Sequence, residues 1–316
     1  MFTLNTSSDI YTVDALYQKP NLASIHILKA QDKVAIIDTG TQYATPQINR
    51  SLTELGLNYD HVDYIILTHV HLDHAGCASA LMDLCRNAKL IVHPKGARHM
   101  ADPSKLIAGT SAVYGEVAFK ELYGEITAID ANRMIQPADG ESIDLNGRTL
   151  TFIDTPGHAN HHHSIIDEQS RSIFTGDTMG VGYRALRNDD HAFVMISTTP
   201  VQFNPQALHD SIDKIMSLKP KTLYLTHYSG IVPTSRIVAG LHEQIEDCIS
   251  LTEQAAAAGD QMEIELSKKL LKYNVRRCMN EIEGIDEKIV RDWVSMDAKL
   301  NAQGLTFWWL HKRSSN

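Results

Sequence analysis

Residues 68–76 read THVHLDHAG. His69, His71, Asp73 and His74 stand within six positions, directly after the apolar run YIIL. The apolar run reads as a strand, and the stretch runs from it into a loop and then a helix. Side chains alternate along a strand, so His69 and His71 point the same way at its end. Asp73 and His74 come where the chain turns into a helix, and they face a second point nearby. Four donors at this spacing suit two metal ions better than one.

A single histidine cluster is weak evidence, so the partners decide. TFIDTPGH ends an apolar run at His158, SIFTGDT ends another at Asp177, and TLYLTHYSG ends a third at His227. Each follows a β-like run and stands just before or within a turn. Neutral imidazole and carboxylate bind Zn²⁺, iron or manganese at about 2.0–2.2 Å. No cysteine stands among these donors, so the set is all nitrogen and oxygen. IIDTG places a further carboxylate, Asp38, after an earlier strand. There it suits orienting a ligand or its loop.

The motif set resembles the metallo-β-lactamase superfamily: HxHxDH as His69, His71, Asp73 and His74, then TPGH, GDT and the late strand-end His227, over residues 10–230. The resemblance implies an α+β fold, an αββα sandwich with the site at one edge between its two sheets. It implies that His69, His71 and His158 hold one divalent ion and Asp73, His74 and His227 the other, with Asp177 bridging. It also implies zinc, with iron or manganese as alternatives. Two metals sharing one water lower its pKa and give a metal-bridging hydroxide at neutral pH. Asp73 is then both ligand and proton carrier, a catalytic role. Tyr183, six residues after Asp177, is a catalytic candidate as hydrogen-bond donor to an oxyanion; a packed loop tyrosine explains it equally well. GHANHH resembles the family's paired-histidine continuation, which gives His162 a structural role and sends one of His161 and His163 to the surface.

The rest of the chain supplies the frame. ASIHILKA, KVAIIDTG, DYIILTHV and KLIVHP read as strands, with helices at TPQINRSLTELG and AGCASALMDLCR. His93 ends the KLIVHP run, where a capping or buried hydrogen-bonding role suits it. Residues 103–123 read as helical, with Tyr114 a candidate for a pocket wall. The alternation repeats after residue 140, with a hairpin around Asn146–Gly147 and an amphipathic helix in NPQALHDSIDKIMSLKP. Two αβ halves packed sheet to sheet are the expected core, over residues 1–232. Composition then shifts to helix formers, and 233–316 reads as a helical extension or lid with Phe307, Trp308 and Trp309 as packing anchors and frayed last residues.

Composition narrows the function. With 43% hydrophobic residues the chain builds a sizeable core. A net charge of −9 without a basic stripe disfavours nucleic acid as a partner. The start MFTLNTSSDIYTV lacks a basic and apolar leader, no apolar run reaches membrane-spanning length, and the four cysteines form no CxxC pair. A cytoplasmic protein acting on a small molecule is expected, away from membranes, with homo-oligomerisation left open. Antibiotic-hydrolysing family members typically lack the bridging aspartate, and nuclease branches carry basic surfaces or extra domains. The expected function is therefore a dinuclear hydrolase of a thioester, lactone or phosphoester, resembling the glyoxalase II-like and lactonase-like branches. The alternative is a diiron oxygen-binding, redox or sensing protein on the same scaffold. Against it, His71 stands where the flavodiiron branch typically has glutamate.

Overall fold

The computed structural model describes residues 3–6, 8–188, 191–198 and 201–314, with the side chains of 3–6, 113–114 and 313–314 outside the description. Tyr114 as a pocket-wall side chain, and the last two residues, therefore lie outside the described residues. The chain forms two compact units, one of Met1–Asp154, His161–Gly176 and Lys221–Gly230, the other of Thr155–Asn160, Asp177–Pro220 and Ile231–Asn316.

The first unit holds two sheets. One contains β1 (Thr3–Thr6), β2 (Ile10–Asp14), β3 (Ser24–Ala30), β4 (Lys33–Ile37), β5 (Val62–Ile66), β6 (Lys89–Ile91) and β7 (Met134–Ile135), laid side by side in chain order. β1 to β4 run antiparallel, and β4 to β7 run parallel. The parallel part needs long connections. Helices α1 (Thr45–Glu54), α2 (Leu72–Ala75), α3 (Ala78–Leu84), α4 (Pro94–Ala101), α5 (Ser104–Tyr114) and α6 (Glu116–Tyr123) supply them. The second sheet contains β8 (Ser142–Leu145), β9 (Arg148–Asp154), β10 (His163–Asp167), β11 (Ser172–Gly176), β12 (Thr222–Leu225) and β13 (Ser229–Ile231), in the order β13-β12-β11-β10-β9-β8.

Period-two burial places the core on both faces of the first sheet. In β4, Ala35 and Ile37 join Ile66 and Ile91 against Phe152, Ile165, Phe174 and Tyr224 of the second sheet. Val34 and Ile36 face the other way, packed with Ile48 and Leu52 of α1 and Leu81 and Met82 of α3. The fold is therefore α+β, two stacked sheets with helices, as the sequence implied. β1, β2, β7 and β13 were not anticipated. They are short, and β2 (IYTVD) carries two polar residues that its sheet buries or half-buries.

The second unit contains α7 (Pro205–Ser217), α8 (Ser235–Ala256), α9 (Met262–Glu281) and α10 (Glu287–Ser314). The composition shift near residue 232 coincides with the start of α8, which Thr234 caps through its hydroxyl on the Ile237 N–H. Leu241 and Ile245 of α8, Leu266 and Leu270 of α9, and Val290 and Val294 of α10 are buried. The aromatic anchors are half-buried, with Trp308 edge-on to Phe203.

Two buried polar connections tie the sheets of the first unit. Arg148 donates from Nε and Nη2 to Asp167 at 2.9 and 2.5 Å, and from its remaining N–H groups to the carbonyls of Lys29 and Ser8. Ser229 donates to Thr12 Oγ1 at 3.1 Å, and Thr12 Oγ1 lies 3.2 Å from His26 Nδ1. His26 Nε2 lies 3.2 Å from the Leu225 carbonyl. A carbonyl only accepts, so the His26 proton sits on Nε2 and the Thr12 hydroxyl donates to Nδ1.

Arg148→Met leaves a buried carboxylate uncompensated and is expected to cost about 3–5 kcal/mol of unfolding free energy, while adding Asp167→Leu recovers much of it; urea denaturation checks both. Burial pushes the His26 imidazole down from 6.5 to about 4, and that of His163 down to about 3. The unfolded chain protonates these rings near pH 6.5 and the folded chain resists. Stability is therefore whole above that pH and falls as pH drops toward 4, by roughly 2 kcal/mol per ring at pH 5. Denaturation at pH 7 and pH 5 is expected to show the loss, smaller in His26→Gln.

Candidate metal centre

The chain leaves β5 at Ile66, bends at Thr68 and enters α2 at Leu72. This path carries four of the expected ligands. His69 Nε2 lies 2.9 Å from His71 Nδ1. Asp73 Oδ2 lies 3.8 Å from His74 Nε2 and 3.3 Å from His227 Nε2, and these three donors are mutually within 4.8 Å. The first unit thus brings together five of the seven expected ligands: His69, His71, Asp73, His74 and His227.

The partners of the other ring nitrogens fix the tautomers. His74 Nδ1 lies 2.9 Å from Asp38 Oδ2, and His227 Nδ1 lies 2.8 Å from the Leu22 carbonyl. Both partners accept, so both Nδ1 atoms carry protons and both Nε2 atoms carry lone pairs. His69 Nδ1 lies 3.1 Å from Thr68 Oγ1, whose hydroxyl already donates to Asp38. It therefore donates to Thr68 and turns its Nε2 lone pair toward His71. A ring anchored through Nδ1–H with Nε2 presented is how proteins prepare histidine for a metal. The donor set fits divalent ions that favour nitrogen and oxygen.

Asp38 organises this half of the site. It is fully buried with a φ of +55°, and it accepts from Thr68 N, Thr68 Oγ1, His74 Nδ1 and Thr226 Oγ1. Burial alone would raise its carboxyl. The electrostatic attraction and hydrogen bond of the His74 N–H, with the hydrogen bonds of Thr226 and the Thr68 N–H, outweigh burial and hold it below the usual range. Asp73 is held low in the same way: burial opposes ionisation, and His74 and His227 overcome it.

The second unit holds the other two expected ligands. His158 Nε2 lies 3.7 Å from Asp177 Oδ2, and His158 Nδ1 lies 3.1 Å from the Ser197 carbonyl. Gly157 at φ +129° runs so close to Leu208 of α7 that a Cβ would stand 2.4 Å from the Leu208 Cα. The irregular segment carrying Ser197 is held by two buried carboxamides. Gln244 of α8 donates to the Val194 carbonyl at 2.9 Å and accepts from Ile196 N at 3.3 Å. Asn301 of α10 accepts from Thr198 N at 2.8 Å and donates to the Ile196 carbonyl at 3.1 Å.

The remaining sequence candidates fall as follows. Tyr183, also in the second unit, is buried; its hydroxyl donates to Asp297 of α10 at 3.1 Å and its ring packs 5.0 Å from Trp293. His162 is fully buried with its ring 5.0 Å from that of His69. The expectation that His161 or His163 reaches the surface is corrected: both are buried. His163 pairs inside β10 and meets the Leu67 carbonyl at 2.8 Å, and His161 Nδ1 accepts from Val70 N. His93 caps α4, accepting from Lys95 N, and its Nε2 meets Asp154 at 3.2 Å. All four cysteines are buried thiols. Thr68 and Thr226 were missed. The tripeptide LTH occurs twice, at 67–69 and 225–227, and in both copies the threonine hydroxyl donates to Asp38.

The profile of the Metallo-beta-lactamase superfamily matches residues 19–227. The chain belongs to this superfamily. Among curated relatives, the Metallo-beta-lactamase fold-containing protein ST1585 of Sulfurisphaera tokodaii is 27% identical over 218 residues, covering 68% of this chain and 76% of that one. The Hydroxyacylglutathione hydrolase of Francisella tularensis subsp. novicida is 26% identical over 215 residues, covering 63% and 78%. The chain spans less than two thirds of several other curated relatives. The crystal structure of metallo-beta-lactamase family protein TTHA1429 from Thermus thermophilus shares the fold, with a TM-score of 0.64 at 18% identity over 96% of this chain and 94% of that one. Superfamily membership implies divalent metal ions, and most members are hydrolases. Among the described residues no helix is long and apolar enough to cross a membrane.

Asp38→Asn keeps the shape of the buried carboxylate and removes its charge. Metal affinity at the Asp73, His74 and His227 donors is expected to fall about 10- to 100-fold. Competition against a chromophoric chelator checks this, and unchanged affinity would deny Asp38 its orienting role.

Proposed function

We propose that this protein is a dinuclear metal-dependent hydrolase of a small ester-type substrate, with a thioester ahead of a lactone or a phosphoester. His69, His71 and His158 take one ion, Asp73, His74 and His227 the other, and Asp177 bridges them. One observation carries the reading: four of the expected histidine ligands donate Nδ1–H to an accepting oxygen and so present Nε2 as a lone pair. Structural histidines have no reason to share that polarity. The thioester preference rests on the Francisella relative, whose named substrate is a thioester.

Two divalent ions bound there would supply an activated water and polarise the bond under attack. The protein's own part is to hold the donors. Asp73, kept ionised by its histidine neighbours, is proposed to take a proton and pass it to the leaving group. Tyr183 is proposed as the hydrogen-bond donor to a developing oxyanion. For that its hydroxyl must turn from Asp297, so Tyr183→Phe is expected to lower kcat more than it raises KM.

Elemental analysis is expected to find about two ions per chain. Asp177→Asn is expected to fall below one, and His227→Ala to keep one. The wild type is expected to hydrolyse members of a panel of acyl-thioesters, lactones and phosphoesters, with activity lost in both variants. If Asp177→Asn kept both ions, the bridging role would be wrong. An oxygen-dependent charge-transfer band from an iron pair, with no turnover of the panel, would replace hydrolysis by the diiron reading.

A further inference from the structure

Outside the seven ligands, the second unit carries another histidine pair. His209 of α7 and His242 of α8 lie with ring planes within 4° and centroids 4.9 Å apart, and their Nδ1 atoms are 2.6 Å apart. Each ring is followed one helical turn later by a carboxylate, Asp213 after His209 and Glu246 after His242. The contacts cross between the helices: His209 Nε2 meets Glu246 Oε1 at 2.9 Å, and His242 Nε2 meets Asp213 Oδ1 at 3.2 Å.

The protons follow from the partners. A carboxylate accepts, so both Nε2 atoms carry hydrogen. Both Nδ1 lone pairs then face each other at 2.6 Å, an arrangement that repels unless a cation lies between them. A proton is one such cation. A metal ion is the other, and the carboxylates already stand where they anchor a metal-binding imidazole and raise its basicity.

We infer that His209 and His242 form a surface site for a divalent transition-metal ion of the zinc class, bridging α7 and α8. Both Nδ1 atoms are its ligands, and Glu246 and Asp213 orient the rings. Metal–nitrogen bonds of about 2.0–2.1 Å separate two tetrahedral nitrogens by about 3.3 Å, so the rings need to open by less than about 1 Å. They are 19% and 28% exposed, which gives an ion a path and gives water the remaining coordination positions. A proton and a metal ion compete for the same two lone pairs, so acid opposes uptake. The site does not depend on the hydrolase reading, because none of its four residues belongs to the proposed catalytic centre.

Zn²⁺ titrated calorimetrically into the purified holo-protein at pH 7.5 tests it. The wild type is expected to take up one ion beyond its resident content. His209→Gln and His242→Gln are expected to lose that uptake with substrate turnover unchanged. Glu246→Gln keeps both rings, serves if the histidine variants fold poorly, and is expected to weaken binding about tenfold or more. No uptake beyond the resident content in the wild type, or the same isotherm in Glu246→Gln as in the wild type, overturns the site.

Discussion

One buried carboxylate sets the conditions for everything around it. Asp38 leaves β4 in a left-handed conformation that an aspartate adopts only at a cost. Its oxygens accept from the loop after β5, from the ring of His74 and from Thr226 after β12. Strand ends of two sheets and the first turn of α2 are thereby referred to one charge. A neutral residue there would leave several buried donors without an acceptor. Removing any one donor would expose a buried negative charge to a poorer environment. The strand ends and the loop after β5 are therefore specified together.

The same logic recurs at each ring. Imidazole has two nitrogens and one ligating direction, and the oxygen that takes the Nδ1 proton decides which way it points. Leu22, Thr68 and Asp38 serve in the first unit, and Ser197 serves in the second. Backbone carbonyls do half of this work, so the orienting groups are set by path rather than by side-chain identity.

That explains what the sequence disclosed. The strands bearing donors were legible because each is an apolar run ending in a polar residue, and the donors were legible because histidine and aspartate cluster where such runs stop. Asp38 was visible for the same reason. Carbonyl acceptors leave no mark in a sequence. The buried state of His161 and His163 was hidden because three adjacent histidines look solvated until β10 pairs with β9 and draws them inward. The repeated LTH was a readable signal, since a threonine before a ligand at two strand ends implies a shared acceptor. The interleaving of the two units was not readable. It depends on where the chain returns, which short-range patterns do not record.

Gln244 and Asn301 stand in for a neighbouring strand, offering side-chain amides to the backbone of residues 194–198. These residues come roughly 50 and 100 positions after the segment they hold. On a ribosome, the Ser197 carbonyl that orients His158 is therefore fixed only when the last helix has emerged. The nascent chain carries His69 to His74 early and gains the amides that hold residues 194–198 late.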